Sequence, residues 1–495
     1  MAIVSFPRRL AELAGADPGR IAVTCGEDTI TRAELEQRAD RLARELALDG
    51  VVSGAMVTIA LPNSIDWFVA VVACWKLGAT PQPVSSRLPE RELAAIVELA
   101  DPPVVLGVAA DAFPGRVCRP TTAVAIATAV ATGGGPEPDP LDPLPDVILP
   151  AWKAPTSGGS TGRPKLIVAG MSASIEGDDR PVLLLDPDGC LVMPGPLYHN
   201  GPIVWSCTAL IHGCHVVVLP RFDAEATLAA IERHRGDVVY LVPTMMKRIW
   251  RLPIDTRERF DLSSLRVAWH LAEPCPPWLK DAWIEWLGPE RIYELYGGTE
   301  AQTATIISGT EWLAHRGSVG RPAEGTVMIA DDSGAEVPAG IRGEVWMRSV
   351  GGVVTYRYVG AEARAMTGGW ESLGDLGWLD DDGYLYLGDR MTDMILTGGS
   401  NVYPAEVEAA LQEHEGVHSC AVIGLPDDDL GHRVHAIVEA DPDQLDVAEL
   451  LEFLGARLVR YKVPRSVEIV DEPLRDDAGK VRRGALRAER IGGAA

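Results

Sequence analysis

The clearest periodicity in the chain lies in TRAELEQRADRLARELALDG (31–50), where Leu35, Ala39, Leu42 and Leu46 fall on one stripe of a helix. Thr31 and Glu34 form a capping-box pattern at its start, and Gly50 stands past its end. The run AMVTIALPN (55–63) is short, continuous and apolar, and predicts a buried strand. Another helix-like run ends at KLGATPQPV (76–84). Helices between short apolar strands predict a mostly parallel α/β sheet, and the same alternation returns between residues 190 and 300. The Pro- and Gly-rich stretch GGGPEPDPLDPLP (133–145) reads as an irregular connector.

From residue 310 to 390 the pattern changes. GTVMIADDSGAEV, RGEVWMRS and GYLYLGD are short strands with turns, an antiparallel region. Beyond GDRMTDMIL (388–396) a small separate unit follows. YPAEVEAALQEH is a helix with Pro404 at its start, DVAELLEFLGARL is a second helix, and SCAVIGL, RVHAIVEA and RSVEIVD are strands. The expected architecture is α/β: a large multi-subdomain N-terminal domain over 1–388, a hinge at 389–393 and a small α+β C-terminal domain over 394–495.

Composition narrows the function. With 495 residues and 47% hydrophobic content the chain supports two or three packed domains. A net charge of −25 disfavours nucleic acid as a partner, because phosphate backbones need a basic face. The eight cysteines form no CxxC pair and suggest neither a disulfide framework nor a zinc site. No signal-peptide core and no run of ~18 apolar residues is present, so no membrane span and a cytoplasmic location are expected.

The stretch TSGGSTGRPK (156–165) carries chemistry that a core does not need. Gly158, Gly159 and Gly162 let backbone N–H groups turn toward an anion; Thr156, Ser157, Ser160 and Thr161 add donors, and Lys165 adds charge. It is not a Walker A loop: Arg163 and Pro164 separate Gly162 from Lys165, and no hydroxyl residue follows. KLIVAG reads as a strand, so the expectation is strand–loop–strand around phosphates. A flexible surface loop is the plain alternative.

This loop resembles the phosphate loop of the adenylate-forming superfamily, which includes acyl-CoA ligases, luciferases and peptide-synthetase adenylation domains. Three further segments are similar to that family's motifs in its order: YGGTE (296–300), GDLGWLDDDGYLYLGDRMTDMILTGGSNVYPAEVE (374–408) and PLRDDAGKVRR (473–483). The resemblance covers essentially the whole chain. It implies ATP and Mg²⁺, with the loop residues, Glu273, Tyr296, Asp375 and Arg390 on the nucleotide. Tyr296 would stack on adenine, Asp375 would accept from the ribose hydroxyls, and Arg390 would reach ribose or phosphate. Thr299 would donate to the α-phosphate and Glu300 would hold the metal. Lys480, by itself a solvated surface lysine, would bridge the acid carboxylate and the α-phosphate. The small domain would be mobile about the hinge, where Thr392 replaces the family's usual Asp or Lys.

MPGPLYHNGP (193–202) and HLAEPCPPWLKDAWIEWLGPERIYELYGGTE (270–300) are most similar to actinobacterial fatty-acid and bile-acid CoA ligases and to the related amide bond synthetases. That resemblance implies acyl transfer to CoA, with transfer to an amine as the alternative. His199 would sit beside the acyl carboxylate, orienting it or acting as a base, or would simply cap a helix. Trp205, Ala272, Glu273, Gly297 and Gly298 would line or adjoin the acid pocket. The paired glycines suggest room for a bulky, aromatic or ring-containing acid.

Overall fold

The computed structural model describes residues 3–128, 144, 146–158, 164–176, 183–390, 393–397, 400–427, 429–476 and 480–492. The capped helix forms as its pattern dictates. Arg32–Leu48 carries a complete Thr31/Glu34 capping box, and Leu35, Ala39, Leu42 and Leu46 are all buried. It packs against Ile65–Lys76, whose residues other than Asp66 are buried. That helix brings Trp67, Phe68 and Trp75 into the main core.

Among the described residues, fourteen strands form one sheet. Its centre is parallel: Cys190–Met193, His215–Val218, Val238–Leu241, Val267–Leu271 and Ile292–Gly297 pair side by side. The direction reverses at Ala304–Ser308, and the sheet runs on antiparallel through Ser318–Glu324, Leu385–Arg390 and Trp370–Leu379. The reversal lies beside the motif Tyr296–Glu300, which leaves the carboxyl end of the last parallel strand. Ligand crevices of α/β sheets form at that end. A four-stranded parallel sheet holds Met56–Ile59, Thr80–Pro83, Val104–Leu106 and Val117–Arg119.

The small α+β domain has its own five-stranded sheet, including Ser419–Asp427, Gly431–Glu439 and Ser466–Val470. Helices Pro404–Gln412 and Val447–Gly455 cover it, and Val407, Leu411, Val422, Val438, Leu450 and Leu454 make a core separate from the main one. The connector 133–145 lies outside the described residues except for Leu144, as does Thr392, the expected hinge residue. Among the described residues no helix is long and apolar enough to cross a membrane.

Candidate active site

A buried polar relay fixes the entry to the glycine-rich loop. Thr58 Oγ1 donates to Gln82 Oε1 at 2.7 Å, and Gln82 Nε2 donates to Thr156 Oγ1 at 2.9 Å. The relay satisfies groups that are costly to bury alone. The flanks then pair antiparallel, with Ser157 opposite Lys165 and Gly158 opposite Pro164. This is a strand–loop–strand. Gly159, Ser160, Thr161 and Gly162 lie outside the described residues.

Three segments meet at Glu300. Its Oε1 accepts from the Tyr358 hydroxyl at 2.5 Å and lies 3.4 Å from Lys165 Nζ. The Lys165 ammonium stands 3.9 Å from the centre of the Tyr358 ring, a cation–π contact. Strand Tyr356–Val359 pairs with Pro164–Ala169, which is what brings Tyr358 and Lys165 together. Thr299 lines the same cleft. A side chain at Gly298 would fill the cradle, because its Cβ would lie 2.7 Å from Glu300 Oε2. The described residues offer no cluster of three metal-ligating side chains. Mg²⁺ is usually held by one or two carboxylates plus substrate phosphates, so a single fixed carboxylate fits a metal that arrives with a nucleotide.

Across the cleft the Tyr296 hydroxyl donates to Asp375 Oδ2 at 2.7 Å. Asp375 and Arg390 are register partners on neighbouring strands. A carboxylate has several acceptor sites, so Asp375 can take hydroxyls in addition to the phenol.

The other end of the cleft is aromatic. His199 occupies the N-cap of helix Asn200–His212, but its side chain makes no capping bond, so capping is not its role. Its Nε2 is buried without a partner. Burial first, then the charges of Lys480 and Arg482, push the imidazole down to about 3, so the ring is neutral at working pH. Trp205 lies further along the helix, with its Nε1 also buried and unpartnered. Its ring packs edge-on against Tyr240 at 5.4 Å and Trp269 at 5.8 Å. Gly201 is required there, since a Cβ would lie 2.1 Å from the Tyr240 hydroxyl oxygen.

Gly297 and Gly298 line the cleft, but the space beside them belongs to the protein. A Cβ at Gly298 would meet Leu373 Cδ1 at 2.6 Å, and one at Gly297 would meet Thr303 O at 3.2 Å. Trp205 and Tyr240 line the same cleft as the glycine pair. Ala272 has φ of 73°, a left-handed conformation that side chains rarely adopt, directly after strand Val267–Leu271. Glu273 follows. Its Oε2 accepts from Thr244 Oγ1 at 2.8 Å and lies 3.5 Å from Arg475 Nη1. Burial pushes this carboxyl up to about 7, against the opposing pull of Arg475 and the Thr244 hydrogen bond.

Lys480 reaches the cleft from the small domain. Arg475 and Val481 form an isolated antiparallel bridge, and Asp476 N donates to Lys480 O at 3.0 Å, which ties the lysine to that bridge. The cleft, about 3510 Å³, is lined by Lys480 together with Thr299, Glu300, Asp375 and His199.

Sequence reasoning missed Tyr358 and Arg475, which line the cleft, and Thr244 and Lys153, which hold the lining residues Glu273 and Asn200 from behind. Lys153 is buried, donates to Asn200 Oδ1 at 2.6 Å and is pulled down to about 8 by burial. A lone lysine inside the apolar run PAWKAP was the available signal. Tyr358 offers none, because its role depends on which strand its own pairs with.

The chain matches the model of the AMP-binding enzyme family over residues 10–357 and that of the AMP-binding enzyme C-terminal domain over 406–480. It is 35% identical over 505 residues to a feruloyl-CoA synthase of an Amycolatopsis species, covering 98% of each chain. The o-succinylbenzoate CoA synthetase of Bacillus subtilis, solved with its acyl-adenylate intermediate, superposes with a TM-score of 0.82 at 25% identity, over 98% of this chain and 99% of that one. The same synthetase is also solved with ATP and a magnesium ion. The amide bond synthetase McbA of Marinactinospora thermotolerans superposes with a TM-score of 0.78 at 28% identity, over 98% of each chain. With both family models matched and the four motifs gathered around one cleft, the chain belongs to the AMP-binding enzyme family of adenylate-forming ligases.

Proposed function

We propose that this chain is an ATP-dependent, AMP-forming ligase that activates a bulky aromatic carboxylic acid and passes the acyl group to CoA. The observation that carries the reading is the convergence of Lys480 with Glu300, Asp375 and His199 on one cleft. An oxygen of the acid carboxylate attacks the α-phosphorus of ATP. The bond from that phosphorus to the oxygen bridging to the β-phosphate breaks, and pyrophosphate leaves with the charge. Mg²⁺, held by Glu300 and the phosphates, supplies charge neutralisation when bound. Asp375 and Tyr296 hold the nucleoside, Thr299 and the loop hold phosphates, and Lys480 neutralises the carboxylate and α-phosphate as they approach. His199, neutral and with a buried unpartnered nitrogen, donates to the carboxylate and orients it. In the second half-reaction the thiol sulfur attacks the acyl carbon, the bond to AMP breaks, and the thiol proton passes to solvent.

The aromatic wall of Trp205 and Tyr240 supports an aromatic acid, as do the feruloyl and succinylbenzoate relatives. We place the domain boundary near 388 and the hinge at 389–393, with Thr392 as its pivot. The eight free cysteines support a reducing, cytoplasmic setting.

A second reading is acyl transfer to an amine, favoured by the likeness to McbA. Buried, and faced by Lys480 and Arg482, the His199 imidazole is a poor base. A base role toward an amine would need the ring hydrated as well as the two cations withdrawn. The test is one aromatic acid with ATP, Mg²⁺ and either CoA or an amine, both products followed by mass spectrometry. Thioester at low CoA supports the first reading. Amide without any thioester, across several accepted acids, establishes the second.

A further inference from the structure

One face of helix Pro243–Trp250 and its C-terminal residue Arg251 touches the small domain at groups the reaction does not need. Lys247 Nζ donates to Val417 O at 3.3 Å. Arg251 Nη2 donates to the same carbonyl at 2.7 Å and to Glu415 O at 3.3 Å. Thr244, Lys247 and Arg251 recur at the spacing of a single helix face. Thr244 also holds Glu273, whose carboxylate faces Arg475. Arg475 stands in the bridge to which Lys480 is tied, and it is held within the small domain by Ser419 Oγ at 3.1 Å. The contacts therefore form a line from the helix to the bridge beside Lys480.

We infer that Lys247, Arg251 and the Glu273–Arg475 pair are a positioning clasp, which holds the small domain in the orientation that puts Lys480 in the cleft and acts in acid adenylation but not in acyl transfer. This rests on the ligase reading above. The clasp suits a reversible contact. Lys247 and Arg251 bind main-chain carbonyls at one point of the small domain, and both cations regain water when it departs. Glu273 Oε1 is buried without a partner in the docked state, so undocking also relieves a desolvated carboxylate. A stronger, fully satisfied interface would slow the exchange of one half-reaction for the other. The docked state is populated only as far as such contacts favour it over the alternatives, and adenylation scales with that population.

The test separates the half-reactions in the full-length protein. Lys247→Met keeps the stem and removes the donor, and Arg251→Met does the same one turn on. Adenylation is read as acid-dependent ATP–pyrophosphate exchange. Acyl transfer is read in single turnover from chemically supplied acyl-adenylate to CoA, and to an amine. The expected result is a drop of ~10-fold or more in exchange for the double variant, with transfer from supplied adenylate within about twofold of wild type. Glu273→Gln keeps the Thr244 hydrogen bond, removes the charge facing Arg475 and should lower kcat for exchange. A rise in KM for ATP at unchanged kcat would instead make Glu273 a nucleotide contact and remove it from the clasp. Equal losses in both half-reactions, or no loss in either, overturn the inference. If wild type itself shows no acid-dependent exchange, it is the ligase reading that fails.

Discussion

At the end of the cleft proposed for the nucleotide the polar side chains hold one another. Asp375 takes the Tyr296 hydroxyl, and Glu300 takes the Tyr358 hydroxyl beside Lys165. At the end proposed for the acid, His199 Nε2 and Trp205 Nε1 are buried with no partner. The difference matches the ligands proposed for each end. A nucleotide brings the same hydroxyls and phosphates to every turnover, so its receptors can be fixed in advance. An acid pocket gains selectivity from buried groups that only the right substrate satisfies. Leaving such a group unpaired costs ~1–3 kcal/mol, and an acid with an acceptor in place recovers it.

Variants at the two ends should therefore fail differently, and Lys480, proposed to serve both, should fail most. Lys480→Ala is expected to lower acid-dependent pyrophosphate release ~10²–10³-fold, the scale of one lost transition-state donor, with the circular-dichroism melt unchanged. Near-normal release in a folded variant would remove Lys480 from the reaction. Tyr358→Phe frees the Glu300 carboxylate to reorient, and should weaken Mg²⁺ dependence about 10-fold or more for every acid alike. An acid-specific effect would blur the distinction between the ends. Asp375→Asn should raise KM for ATP ~10-fold, again for all acids, because a charge-assisted hydrogen bond is lost.

Trp205→Phe keeps the aromatic wall and deletes the indole donor. It should reorder kcat/KM among aromatic acids several-fold, penalising those with a ring acceptor, while KM for ATP stays put. If all acids suffer equally, the indole is packing and nothing more. The smallest effect concerns pH and stability. Unfolded His199 takes a proton below about 6.5, but the folded ring, pushed down to about 3, does not. The unfolded chain thus binds more protons in that window, and stability falls as pH drops through it. His199→Gln should lose less stability than wild type between those pH values, in chemical denaturation followed by fluorescence.

Some elements were fully legible. The Thr31–Gly50 helix needed only its stripe and cap, since both are local and Arg32–Leu48 forms between them. The loop's strand–loop–strand character was legible because β-branched KLIVAG cannot sit comfortably as the helix a Walker loop requires. The glycine pair was ambiguous. A missing side chain can make room for substrate or for protein, and sequence cannot say which; here Leu373 and Glu300 occupy the space beside Gly298. Thr244, Lys247 and Arg251 carried no signal at all, because a polar helix face looks the same whether it meets water or another domain.

What the sequence determined by itself is chemistry that travels with short segments: a glycine- and hydroxyl-rich loop, the carboxylates Glu300 and Asp375, and a lysine near the C-terminus. What only the tertiary structure decided is which of these groups face each other. Tyr358 meets Glu300 because its strand pairs with Pro164–Ala169, nearly two hundred positions earlier. Lys480 shares a cleft with His199 because a separately folded domain docks against helix Pro243–Trp250. Long-range pairing and docking depend on the shape and satisfaction of surfaces assembled from distant segments, and no local pattern encodes those.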